Sequence, residues 1–388
     1  MKSRFLSLLF LSFTFIVSAV PDSLQISLLS CSPGSELYST FGHSAIRMKD
    51  LKSDKDYVFN YGTFNFNEKN FYLKFMQGKL NYLLSVEPMD NFLYSYMLEN
   101  RTVYEQVLHL NQEQKVALFY ALQLNAQPSN RAYKYDFFWD NCSTRIRDQF
   151  DWVFHDSIQY PVRKGIPFRT YLHKYLTHHP WSRFGIDLIL GLPCDAKAMT
   201  REAMFLPLEM MDVYDSASYQ QHELNTKSKI IQAAVDQPVH KSWFTPFLVF
   251  TALLLLVVWA GWAKPRSLTV ASSFYNIIMI TVGIAGLVIC FLWFVSEHTT
   301  TDHNLHLIWA NPLVLLYPVR NYIFKKPLLN WLSRCYTFLL ALLVIAYPLL
   351  PQRMPPECIL IWLALIYIVI PDCQFHFFSA RKSTLAGR

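Results

Sequence analysis

Apolar residues are spread unevenly along the 388-residue chain, and their spacing divides it in two. From Phe244 onward they come in continuous runs: Phe244 to Ala263, Phe274 to Val295, Leu305 to Val319, Tyr336 to Leu350 and Cys358 to Ile370. Such runs, near the ~20 residues that cross a bilayer, predict five membrane spans, the third and fifth of them short. In the preceding stretch, residues 20–242, apolar positions recur instead at strand and helix spacing. Leu24 to Leu29, Ser44 to Met48, Tyr57 to Asn60, Leu80 to Val86 and Val103 to Leu110 are short and rich in branched or aromatic side chains, which predicts strands. Asn70 to Gln77 and Asp90 to Leu98 predict short helices. Gln112 to Asn125 predicts a longer one, capped by Asn111, with Val116, Phe119, Tyr120 and Gln123 on one face. A further helix opens near Cys142 and repeats apolar residues at Ile146, Phe150, Val153 and Phe154, so its first thiol shares the buried face. The pattern is α+β in residues 20–242 and all-α in residues 243–388.

Three observations place these parts in a cell. Lys2 and Arg4 precede an apolar run from Phe5 to Val17 and then Val17-Ser18-Ala19, a small-residue cleavage pattern that predicts a signal peptide over residues 1–19. An uncleaved anchor is the alternative, and either form exports the domain that follows. With that domain outside, the inner segments hold Lys264 and Arg266, then Arg320, Lys325, Lys326 and Arg334, then Arg381, Lys382 and Arg388. The outer segments hold one cation, Arg353, beside Glu297, Asp302 and Glu357. This asymmetry follows the positive-inside rule, places the C-terminus in the cytoplasm and predicts a multi-pass protein of the inner (cytoplasmic) membrane. It also accounts for the net charge of +7, so no nucleic-acid patch is invoked.

Of seven cysteines, Cys31, Cys142 and Cys194 fall in the exported part, and at least one of these three lies outside any intramolecular pair. A Cys31–Cys194 disulfide is one possibility that the sequence leaves open. No CxxC pair or zinc-ligand spacing occurs, so no metal site is expected. Cys142, in Asp140-Asn141-Cys142-Ser143-Thr144-Arg145, opens its helix, where free amides and the helix dipole favour a thiolate. His43, in Phe41-Gly42-His43-Ser44, enters a strand about a hundred residues upstream and is the candidate base. The ordinary readings are a buried cysteine and a core histidine. Asn60 is the expected third group that fixes the imidazole tautomer, with Tyr61 or Glu36 as alternatives. Tyr61 and Arg145 are expected to contact substrate, Arg145 through a phosphate headgroup, although a surface salt bridge is the common fate of a lone arginine. Backbone amides near Cys142 are natural oxyanion donors.

The segments Leu29-Ser30-Cys31-Ser32-Pro33-Gly34, Tyr38-Ser39-Thr40-Phe41-Gly42-His43-Ser44-Ala45, Val58-Phe59-Asn60-Tyr61-Gly62-Thr63-Phe64, Phe71-Tyr72-Leu73-Lys74-Phe75 and Tyr135-Asp136-Phe137-Phe138-Trp139-Asp140-Asn141-Cys142 resemble the Lnb-type lipoprotein N-acyltransferases of Bacteroidota. The resemblance spans nearly the whole chain. It implies a permuted papain-like (NlpC/P60-like) exported domain followed by a five-helix transmembrane domain, with His43 and Cys142 as the catalytic pair. It also implies an acyl chain moving from a phospholipid donor, through a Cys142 thioester, to the α-amine of a diacylated lipoprotein acceptor, with no cofactor.

Glu297 to His306 resembles a family loop between membrane helices, although His306 stands where an asparagine is expected. A polar loop over the active site fits its three histidines and Asp302 better than a metal site does. His173, His178 and His179 are expected on a solvated helix and loop. Phe168, Tyr171, Trp181, Phe184 and Phe205 are expected either to line an acyl groove or to pack a helical subdomain. A membrane-tethered peptidoglycan hydrolase and a non-catalytic assembly protein are the alternative functions.

Overall fold

The computed structural model describes residues 21–65, 67–235, 243–262 and 268–370, so the expected signal peptide lies outside the described residues. Seven strands form one antiparallel sheet: β1 (Leu24–Cys31), β2 (His43–Asp50), β3 (Asp56–Thr63), β4 (Asn81–Pro88), β5 (Val103–Val107), β6 (Ala132–Lys134) and an edge strand, Lys229–Gln232. Their order is edge strand, β5, β1, β2, β3, β4, β6. The period-two pattern gives the sheet two buried faces. Leu24, Ile26, Leu28, Ile46, Met48, Phe59, Tyr61 and Leu84 pack in one core. Leu29, Cys31, Ala45, Val58 and Val103 pack in another, against Met89, Phe92 and Tyr96.

Helix α1 (Phe71–Met76) lies in the β3–β4 connection, and α2 (Met89–Leu98) covers the second face. The first face carries α3 (Gln112–Asn125) and α4 (Cys142–Val153). Asn111 caps α3 through a reciprocal box with Gln114. The deeply buried residues of α3 are Gln114, Leu118 and Leu122, while Tyr120 is exposed and Val116 and Phe119 are only partly buried. The helix is thus turned relative to the expected face, because leucines four apart make the deeper stripe.

Four helices follow: α5 (Phe168–Tyr175), α6 (Pro180–Ile189), α7 (Thr200–Ala203) and α8 (Pro207–Tyr214). Phe168, Tyr171 and Phe205 form a core with Phe138, and Phe184 packs against the membrane helices. Phe168, Tyr171 and Phe205 therefore pack a helical subdomain, whereas Trp181 and Phe184 lie against Phe250 of the C-terminal part. Arg169 is wholly buried and held by Asp187 and Asp195 at 2.9 and 3.0 Å. His173 is no solvated side chain: its Nε2 lies 2.9 Å from the buried Asp187 carboxylate.

The C-terminal part contains α9 (Pro246–Trp262), α10 (Leu268–Phe294), α11 (Arg320–Ile323), α12 (Lys326–Ala346) and α13 (Glu357–Val369). Ala271–Phe294 and Lys326–Leu349 are long and apolar enough to cross a membrane, while α9 and α13 are shorter apolar helices. The third expected span differs. Leu305–Ile308 and Pro312–Val319 are 3₁₀ turns, with Pro312 and Pro318 removing amides that an α-helix would use. Broken backbone at membrane depth requires cover by protein. Gly283 and Gly286 of α10 provide it, since a Cβ on Gly286 would collide with the Ala310 carbonyl. The loops after α10 and α12 both reach the α/β unit. The Glu297 amide donates to the Gln77 carbonyl at 2.8 Å, and Gln352 Nε2 donates to the Leu190 carbonyl at 3.1 Å.

Candidate active site

Asn141 sets the direction of α4. Its Oδ1 accepts the amides of Ser143 and Thr144 at 2.8 and 2.9 Å, and its Nδ2 donates to the carbonyls of Phe137 and Phe205 at 2.7 and 2.9 Å. One side chain therefore caps the helix and bolts it to the two segments beneath, leaving Cys142 as the first helical residue. The Ser143 and Ser44 hydroxyls, 2.9 Å apart, tie that helix start to the residue after His43.

His43 begins β2, directly across from Cys31. Gly42 turns the chain into it with φ +83°, and a Cβ there would lie 2.7 Å from the Cys31 carbonyl oxygen. The imidazole Nε2 is 2.5 Å from Asn60 Oδ1, and Asn60 Nδ2 donates to Glu87 Oε1 at 3.3 Å. That leaves Nδ1 as the ring nitrogen free to face the thiol. The ring also stacks on Tyr96, with centroids 6.5 Å apart.

Gly62, with φ +90°, holds the space between the groups open. A Cβ there would sit 3.5 Å from Cys142 Cβ, 3.9 Å from His43 Cε1 and 3.9 Å from Tyr133 Oη. A backbone without a side chain is thus flanked by a thiol, an imidazole and a phenol.

The charges of the pair follow from this packing. Burial opposes a charged Cys142, but the adjacent His43, its hydrogen bond, the Ser44 amide and the Ser143 hydroxyl outweigh that penalty and bring the thiol below its ordinary value. Burial likewise opposes a charged His43, yet Cys142 and the Asn60 hydrogen bond carry it above its ordinary value. The two shifts together favour a thiolate–imidazolium pair. Cys31 and Cys194 are both free thiols, each pushed up to about 12 by burial, and Cys194 Sγ donates to the Thr300 carbonyl at 3.3 Å.

Cys142, His43 and Asn60 thus come together at one end of the sheet, while Arg145 and Tyr61 stand behind them. Arg145 forms a bidentate pair with Asp140 at 2.5 and 2.8 Å and lies 3.6 Å from the Tyr133 ring centroid, so its fork is occupied. Tyr61 is wholly buried, its phenol pushed up to about 12 by burial, and its hydroxyl has no hydrogen-bond partner. The Tyr133 hydroxyl is also buried without a partner. Sequence reasoning missed Gly62, Glu87 and Tyr133. Gly62 was visible as the glycine closing Asn60-Tyr61-Gly62, whereas Tyr133 arrives only through the pairing of β4 with β6.

The loop after α10 meets the same end of the domain. Thr299 Oγ1 donates to Asp136 Oδ2 at 2.6 Å, within the turn that leads to Cys142. Its histidines have separate partners: His298 Nε2 bonds the Phe75 carbonyl at 2.9 Å, His303 lies against Trp293, and His306 Nδ1 accepts from Trp309 Nε1 at 2.9 Å. Among the described residues no three His, Cys, Asp or Glu side chains gather as a metal ion would need.

A family model described as the Lnb N-terminal periplasmic domain matches residues 14–174, and one described as the Lnb transmembrane domain matches residues 238–374. No curated protein and no solved structure matches the chain.

Proposed function

The chain belongs to the Lnb family, and we propose that it is a lipoprotein N-acyltransferase of the inner membrane. In this reading residues 1–19 are removed, residues 20–242 lie in the periplasm, and the C-terminus is cytoplasmic. The observation that carries the reading is a buried thiol drawn down, and an imidazole drawn up, by one another at the end of the domain joined to the membrane part.

The Cys142 thiolate attacks the ester carbonyl of a phospholipid, and the C–O bond breaks as the leaving alkoxide takes the proton from the His43 imidazolium. A lysophospholipid departs and the acyl chain stays on Cys142 as a thioester. The neutral α-amine of a diacylglyceryl-cysteine then attacks that thioester, His43 accepts the amine proton, and the C–S bond breaks. An amide forms and the thiolate–imidazolium pair is restored. The ester already carries an activated acyl group, so the sequence of steps draws on no nucleotide or metal.

Asn60 holds the imidazole with Nδ1 toward the thiol, and Glu87 holds Asn60. Asn141 already occupies the amides of Ser143 and Thr144. The oxyanion donors are therefore the Cys142 amide and the Tyr133 hydroxyl, which burial keeps protonated. Arg145 and Tyr61 act by positioning Tyr133.

The test is to express wild type and Cys142→Ala in cells that lack their own lipoprotein N-acyltransferase, and to read the N-terminal lipopeptide of one lipoprotein by mass spectrometry. An added N-acyl chain that depends on Cys142 is expected. Lipoprotein that stays diacylated, with the protein folded in the membrane, would reject the reading and favour hydrolysis of peptidoglycan.

A further inference from the structure

Helix α1 has the wrong surface for a periplasmic loop. It is six residues long, and none of them is buried. Tyr72 is 77% exposed, and Leu73, Phe75 and Met76 are each about half exposed. A helix this short is marginal in water even with good helix formers, and four adjacent exposed apolar side chains weaken the case further.

Its position supplies the reason. Three residues beyond the end of α10, the Glu297 amide donates to the Gln77 carbonyl at 2.8 Å, and His298 Nε2 reaches the Phe75 carbonyl at 2.9 Å. Gly78, with φ +68°, permits this contact, since a Cβ there would come within 3.1 Å of the 297–298 backbone. Lys79 and Lys134 both pair with Glu297. The C-terminal turn of α1 is therefore fixed about one helical turn from the end of a segment long and apolar enough to span a bilayer. Phe294 and Val295, at that end, are themselves exposed. Aromatic and long apolar side chains at this depth, with lysines beside them, match a surface seated at the boundary of headgroups and acyl chains.

A line of aromatic rings runs from α1 to the thiol. Phe75 lies 6.5 Å from Phe71, Phe71 lies 5.7 Å from Phe64, Phe64 lies 5.4 Å from Tyr82, and Tyr82 lies 6.5 Å from Tyr133, all between ring centroids. Tyr133 is the phenol that shares the Gly62 space with Cys142.

We propose that α1 is an interfacial helix whose Tyr72, Leu73, Phe75 and Met76 sit in the outer leaflet, and that this aromatic line is the wall along which a lipid acyl chain reaches Cys142. The path to the thiol rests on the acyl-transfer reading; the seat in the leaflet does not. The occupant is bilayer lipid, because the surface continues the exposed outer end of α10.

The test uses the full chain in phospholipid vesicles with benzoylphenylalanine in place of Tyr72 or, separately, Trp152, which is exposed on α4. Irradiation and mass spectrometry are expected to find phospholipid adducts at position 72 several-fold above position 152. Equal or absent adducts overturn the leaflet seat, whatever the enzyme does.

For the path, Tyr72→Ser/Phe75→Ser is assayed with a long-chain phospholipid and with water-soluble dihexanoyl phosphatidylcholine. The expected result is about tenfold slower transfer from the long-chain donor, with the soluble donor and iodoacetamide alkylation of Cys142 unchanged. Equal loss with both donors, or no loss, overturns the path. Lipid adducts at position 72 in a protein that transfers no acyl chain to lipoprotein would leave the leaflet seat standing and refute only the reaction.

Discussion

At the scale of residues, the pair can be interrogated through its protons. The folded Cys142 thiol lies below its ordinary value, so the thiolate persists as pH falls below the ordinary thiol range. Removing His43 takes away the largest of the influences that lower it and leaves only the Ser44 amide and the Ser143 hydroxyl against burial, which raises it. Iodoacetamide alkylation of Cys142, followed by peptide mass spectrometry, should therefore be fast at pH 7 in the wild type. In His43→Ala it should be at least tenfold slower there and recover only above about pH 9. Superimposable profiles would mean that the imidazole does not set the thiol. Tyr133→Phe tests a different group: if its hydroxyl bonds the oxyanion, kcat falls about 10²-fold with KM and the alkylation profile unchanged. Cys142 and His43 were legible because each stands at the start of an element that the apolar pattern marks, the thiol at the head of a helix and the histidine at the entry to a strand. Tyr133 and Glu87 carry none, since strand pairing far along the chain delivers them.

At the scale of elements, the cap of α4 does two jobs that substitution can separate. Asn141→Ser keeps an oxygen for the Ser143 and Thr144 amides but abandons the Phe137 and Phe205 carbonyls, whereas Asn141→Ala loses both sets. A lost cap costs ~1 kcal/mol, and each buried carbonyl left unpaired ~1 kcal/mol or more. Chemical denaturation in detergent should rank wild type above Asn141→Ser and that above Asn141→Ala, with a total loss of about 3 kcal/mol. Equal stability of the two variants would place the whole effect in the carbonyl contacts. Period-two strands and the α4 stripe were readable in advance, because a single buried face fixes their register. The face of α3 was not, since valine and phenylalanine compete there with two leucines. Nor was the broken third span, whose apolar composition hides two prolines and depends on glycines in a different helix.

At the scale of the molecule, side chains of the loops after α10 and α12 join the two parts, and Gln352 bonds to both. It is fully buried in the loop after α12. Its Oε1 accepts the Leu305 amide at 2.7 Å, and its Nε2 donates to the Leu190 carbonyl at 3.1 Å and to Asn304 Oδ1 at 3.2 Å. One amide thus links both outer loops of the membrane part to the end of α6. Gln352→Ala removes all three bonds at once and leaves the Leu305 amide without its acceptor, at ~1–3 kcal/mol, while Asn304 Oδ1 keeps the His306 amide and the Leu190 carbonyl keeps Arg169. The neighbouring Arg353 bonds Thr170 from an exposed position, where loss costs only a few tenths of a kcal/mol. Gln352→Ala should therefore lower the apparent Tm of the detergent-solubilised protein by several degrees and open the 296–304 loop to protease, while Arg353→Ala does neither. If the joint also holds the thiol at the bilayer, Gln352→Ala loses acyl transfer in vesicles yet keeps the wild-type alkylation profile of Cys142. A variant that loses both would show instead that the contact supports the domain's own fold, and one that keeps full transfer would show that the thiol reaches lipid without the joint.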